Sequence, residues 1–214
     1  MTPDAQPPEP ARRGRGRGRP STLDRESTLG AAWRVIAARG LDRARYTDIA
    51  RESGTPVSTL QNAFGTLDAL LNQAVDYASA RDDAILTDVP GPDDATPVER
   101  LEALVDGGMG TGTREDMDAW LVWLELWRAA ARDTTLASHT ARAYTRWWDT
   151  AESIVEHGQR TGEFTDAFPA RDLAVGVVAL LDGSAVAMVL RATDPDPAEA
   201  RRITLLGARK LLAP

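Results

Sequence analysis

Residues 46–71 read YTDIARESGTPVSTLQNAFGTLDALL, and this stretch decides the architecture. The run predicts two short helices around a tight turn. Ile49 and Ala50 give the first helix an apolar step, and Gly54 follows where a helix end favours a left-handed residue. Pro56 suits the opening turn of the next helix, where its missing N–H costs nothing. Leu60 and Phe64 are four residues apart, so they share an inward face. Val57, Ser58, Thr59, Gln61, Asn62 and Ala63 are left for the outer or flanking surface. That surface is short, uncharged and rich in hydrogen-bonding groups, which suits the base edges of a DNA major groove.

Ile49-Ala50, Gly54, Thr59-Leu60, Phe64 and the run Asp68-Ala69-Leu70-Leu71 resemble the helix-turn-helix of TetR-family transcriptional regulators. Gln61 stands where that family usually has Tyr, and Leu67 where it usually has a phosphate-contacting Lys. The resemblance implies an all-α protein of about nine helices. A helix-turn-helix domain of three helices (residues 21–66) would precede a helical effector-binding and dimerisation domain (67–214). It also implies that Thr47, Val57, Ser58, Thr59, Gln61 and Asn62 read bases or place the reading helix. Arg43, Arg45 and Arg51 would contact phosphates.

Working outward, residues 1–20 hold five prolines and no hydrophobic periodicity, so they are expected to be disordered without DNA. Arginine alternates with glycine over residues 12–20. Arg17-Gly18-Arg19-Pro20 resembles an AT-hook core, in which Arg17 and Arg19 would lie along a narrow minor groove. A generic polybasic tail acting by counterion release reads equally well.

The net charge of −7 is polarised. Residues 1–71 carry 11 Arg against 8 acidic residues (+3), while the rest carries 14 basic and 24 acidic (−10). A positive front end on an acidic body is what a phosphate-binding module on a solubilising body shows. Cysteine is absent and only His139 and His157 are present, which excludes disulfides and argues against a metal centre. No cofactor is expected. Neither a secretory leader nor a run near the roughly 20 apolar residues of a membrane span is read, so a cytoplasmic, non-membrane protein is expected.

A first helix is predicted over residues 21–39, capped by Ser21 or Thr22, with Trp33 in its core face, and residues 41–45 connect it to the second. A helix follows over 66–87, then a Pro/Asp loop (89–96) and a short helix (97–106). Residues 107–113, GGMGTGT, read as a flexible loop without the Gly-Lys-Ser/Thr ending of a P-loop. Helices over 116–131 and 134–160 carry five of the six tryptophans. Trp120, Trp123 and Trp127 share one face, and Tyr144, Trp147 and Trp148 follow on the next helix. These runs, with the turn Gly162-Glu163-Phe164, resemble the ligand-binding half of BetI-type members of the family.

The six aromatic residues are the candidate effector site, either caging a cation or lining a pocket for a planar ligand. The alternative is that most of them are core. Glu125 would add charge complementarity, and the resemblance suggests a choline-type ligand. Carboxylate pairs such as Asp82-Asp83 and Asp93-Asp94 read as solvated surface. No enzyme signature is present.

The last helices, 170–191 and 197–212, have more apolar surface than one small body needs. In the family such a pair forms a four-helix dimer interface, which would place Val177, Leu181, Met188 and Leu206 between subunits. The function implied is a ligand-responsive repressor acting on a palindromic operator as a homodimer. An activator of the same fold and an architectural DNA-binding protein driven by the arginine arm are the alternatives.

Overall fold

The computed structural model describes residues 23–190 and 197–214, so the expectations for Arg17, Arg19, Ser21 and Thr22 lie outside the described residues. Among the described residues the chain forms nine α-helices and no strand: α1 (Arg25–Arg39), α2 (Tyr46–Ser53), α3 (Val57–Phe64), α4 (Leu67–Thr87), α5 (Pro97–Met109), α6 (Arg114–Ala130), α7 (Thr134–Thr161), α8 (Ala170–Leu190) and α9 (Pro197–Leu211). A single 3-10 turn, Leu41–Arg43, joins α1 to α2. Side chains mark most helix starts. Asp24 accepts from Ser27 N, Thr66 from Ala69 N, and Thr96 and Thr113 form capping boxes with Glu99 and Asp116.

Two hydrophobic cores result. The first gathers Trp33 and Ile36 of α1, Ile49 of α2, Leu60 and Phe64 of α3, and Leu70, Leu71, Ala74 and Val75 of α4. It extends past residue 66 and takes in Val122 and Leu126 of α6. The second unites α5 to α9 around Leu104, Met109, Ile154, Val177 and Leu181.

Three expectations change on contact with this packing. Residues 107 and 108 belong to helix α5, not to a loop. A Cβ on Gly107 would collide with the Ile85 side chain, and one on Gly108 would stand 2.6 Å from Leu181 Cδ1. Close helix approach, not flexibility, is why glycine stands there. The turn that follows is already filled: the Asp116 carboxylate accepts from Thr111 N at 2.9 Å and Thr113 N at 3.0 Å. Burial pushes its pKa up, but these bonds and those from the Thr113 and Thr111 hydroxyls together outweigh it and hold the carboxyl below the ordinary range.

Helix α8 is, contrary to expectation, long and apolar enough to cross a membrane by length and composition alone, with a mean hydropathy of 2.2. It packs against α5, α6, α7 and α9 as a core helix. Val177, Leu181 and Met188, expected at a dimer interface, are only 1%, 2% and 4% exposed and lie in the chain's own core. A helix that is apolar all round does not reveal by sequence which stripe faces its own body. The outward stripe of α8 and α9 carries Leu180, Ile203 and Leu206, the last at 54% exposure.

Helix α7 ends at Gly162 in the left-handed region, φ 78°. Phe164 then folds back over Gly158, where a Cβ would overlap its ring. Gly158→Ala is therefore expected to destabilise the protein by about 1–3 kcal/mol through overpacking, outweighing the helix-propensity gain of roughly 1 kcal/mol. Urea denaturation of the two proteins measures this; an unchanged or raised midpoint would contradict the packing.

Candidate functional site: a reading head and a tryptophan cavity

Helices α2 and α3 meet through Gly54, φ 67°, with Ile49, Leu60 and Phe64 buried beneath them. The Tyr46 hydroxyl donates to Gly65 O at 2.9 Å, tying the start of α2 to the end of α3. This tie was not anticipated from sequence. Above the buried side chains, Ser58, Gln61 and Asn62 are exposed on α3, and Val57 and Thr59 are half-buried beside them. Thr47 and Arg51 are exposed on α2, and Arg43 and Arg45 on the connection before it. The residues named for DNA contact within the described range thus all keep exposed or half-buried surface on α2, on α3 or on the connection before α2. Arg45 is partly engaged locally, donating to Asp42 O and Ala44 O. Arg51 lies 3.7 Å from Asp48, which also receives Arg39 at 3.4 Å.

The second site is a cavity where α4, α5, α6, α7 and α8 converge. Trp120, Trp123 and Trp127 of α6 and Tyr144 and Trp147 of α7 line it. Trp127 and Tyr144 stack at 6.3 Å between ring centroids, with Trp120 and Trp123 each tilted against Trp127 at the same separation. The cavity volume is about 70 Å³. Trp148 is a correction: it does not line the cavity but packs on Tyr144 at 5.2 Å, with the Arg171 guanidinium over its ring. Glu125 is another. Its carboxylate turns to the reading head, accepting from Leu41 N at 3.3 Å and from Arg128, which also reaches Asp42 at 2.7 Å.

The cavity's acids come from positions not singled out in the sequence. Asp82 is buried at 8% exposure, while its neighbour Asp83 is exposed and paired with Arg146. The expectation of a solvated pair fails because adjacent helical residues point about 100° apart. Burial pushes Asp82 up to about 6, against the pull of the Trp147 and Trp123 indoles and of Arg146. Even so, among the described residues Asp82 Oδ2 lacks a hydrogen-bond partner, as does the buried Trp127 Nε1.

Asp182 stands midway along α8, whose other charged residues, Arg171 and Asp172, lie in its first turn, and it accepts from the Tyr144 hydroxyl at 2.8 Å. Burial raises it to about 6 as well, with the Tyr144 bond opposing, and the same environment pushes the Tyr144 phenol upward. An acid midway along an apolar stretch of helix was a legible signal for this site. Arg81 and Trp33 complete the wall. Arg81 pairs with Glu115 and lies over the Trp33 ring, so α1 of the reading head borders the cavity directly.

Comparison with known proteins agrees with this geometry. Residues 95–213 match the family model of the BetI-type transcriptional repressor, C-terminal domain. A transcriptional regulator from Saccharomonospora viridis, solved in complex with choline, is 30% identical with a TM-score of 0.72, over 84% of this chain and 92% of that one. A TetR-family regulator from Rhodococcus sp. is 26% identical with a TM-score of 0.75, over 88% and 97%. The regulator FadR from Bacillus subtilis, solved with stearoyl-CoA, shares the fold at 17% identity and a TM-score of 0.68, over 87% and 96%. No curated protein sequence is matched. The fold, the reading head and the cavity define a helix-turn-helix transcriptional regulator. The chain belongs to the TetR family, with a BetI-type C-terminal half.

The raised carboxyls make a signed prediction. A group held at about 6 in the fold and near 3.8 in the unfolded chain stabilises the fold only while protonated. That contribution is fully present below 3.8 and is lost as pH rises through about 6. Asp82→Asn is therefore expected to be more stable than the parent near pH 7.5, by on the order of 1–3 kcal/mol, with the advantage fading towards pH 5. Urea denaturation across that range is the check; a pH-independent difference would remove Asp82 from the account.

Proposed function

We propose that the chain is a ligand-responsive repressor that binds a palindromic operator as a dimer and is released by a small organic cation. The observation that carries this reading is the shared wall. Helix α6 presents three tryptophans to the cavity while its Val122 and Leu126 sit in the core of the reading head. A ligand that shifts α6 thereby tilts the surface that meets DNA.

The lining supports a cation. Ring faces attract positive charge, by roughly 2 kcal/mol or more per desolvated contact, and two buried carboxylates add to that attraction. The choline complex of the 30% identical regulator points the same way. A dimer would form through the outward stripe that includes Leu180, Ile203 and Leu206. It would set two reading heads for half-sites about 34–36 Å apart, or multiples of that. Reciprocal linkage then requires bound operator to weaken the effector by the same factor as effector weakens operator.

Selection of bound DNA from a random pool, with full-length protein near physiological salt, tests the reading. An inverted repeat is the expected product; A·T-rich DNA without symmetry would shift the function to arm-driven, general DNA binding. On the recovered operator, the double change Gln61→Ala and Asn62→Ala is expected to abolish preference over random DNA. The loss should be about 1–3 kcal/mol per base contact removed, with sedimentation of the dimer unchanged. Preference that survives both changes would show α3 not to be the reading helix.

A further inference from the structure

We propose that the tryptophan cavity takes an organic dication, a short diamine whose two ammonium groups pair with Asp82 and Asp182. This rests on the reading of the cavity as a cation-effector site and specifies the charge and donor count of the ligand.

The charges around the cavity give the reason. Three carboxylates and one guanidinium line it. Asp116 is consumed by the Thr111 and Thr113 N–H groups at the turn before α6. Arg81 is held by Glu115, and Arg146 behind the wall is held by Asp83. Among the described residues, Asp82 and Asp182 thus line the cavity without a salt bridge, although Arg146 still acts on Asp82. A monocation neutralises one of them and leaves the other desolvated.

The donor requirement is equally specific. Asp82 is 8% exposed and its Oδ2 accepts no hydrogen bond. An alkylammonium carries N–H donors for that oxygen; a quaternary ammonium carries none. Asp182 already accepts the Tyr144 hydroxyl and has lone pairs to spare. The two acids come from α4 and α8, each packed on α7, and both line the one cavity. Indole faces and Val178 line the space for the methylenes.

Isothermal titration of the full-length protein near pH 8, where both carboxylates are ionised, tests this with putrescine as the dication and choline as the monocation. Putrescine is expected to bind about tenfold or more tighter than choline. Asp82→Asn and Asp182→Asn are each expected to weaken putrescine about tenfold or more, enough to erase its lead over choline. Each substitution removes a buried charge and keeps the side-chain shape, and the ranking on the unaltered protein needs no variant. Choline binding as tightly as putrescine, or putrescine unaffected by either substitution, overturns the dication assignment while leaving the cation-effector reading in place. No heat with either amine, from protein that still binds its operator, overturns both.

Discussion

Helix α6 belongs to two cores at once, and the rest of the structure follows from that constraint. Its Val122 and Leu126 are sealed into the cluster of Trp33, Ile36 and Leu70. Its Trp120, Trp123 and Trp127 close the cavity on the opposite flank. Neither face can rotate to relax without opening the other, because packed interiors tolerate little void and little overlap. A second tie reinforces the first: Glu125 accepts from Leu41 N, and Arg128 bridges Glu125 and Asp42. Exposed pairs of this kind are worth only about 0–1 kcal/mol each. Their role is to hold the register of α6 against the 3-10 turn, while burial supplies the energy.

The cavity sits under a different constraint. Its largely aromatic walls offer few hydrogen-bonding groups, so a buried polar atom there that lacks a partner carries a cost. Tyr144 meets that demand for Asp182. Asp82 Oδ2 and Trp127 Nε1 do not meet it, an acceptor and a donor both left over in one aromatic chamber. Buried polar groups without partners are rare in folded proteins and mark places where stability is given up. Their position on the cavity wall accounts for that sacrifice in the proposed repressor, where an incoming ligand restores the missing interactions.

Communication between the two sites then needs no long route. Trp33 belongs to α1, which packs on α2, α4 and α6, and its ring also borders the cavity beneath the Arg81 guanidinium. Helix α4 carries the same double duty, with Leu70 and Ala74 under the reading head and Asp82 and Ile85 on the cavity wall. In the proposed mechanism a ligand acts only through the difference in its affinity for two placements of these helices.

The local order of the chain was legible in the sequence alone. Gly54, Leu60 and Phe64 set the helix-turn-helix, because a left-handed turn and an i, i+4 apolar pair are short-range properties. The tryptophan face of α6 was equally readable from its spacing. What the tertiary structure decided was which of several chemically similar positions faces what. Asp82 and Asp83 are indistinguishable as neighbours, yet packing buries one and exposes the other. Val177, Leu181 and Met188 could serve a core or an interface, and only the placement of α5, α6, α7 and α9 around α8 assigned them to the core. Gly107 and Gly108 read as a loop because their reason for being glycine, the approach of Ile85 and Leu181, lies far away in the chain. Spacing along one helix determines which residues share a face; the direction of that face is a property of its neighbours.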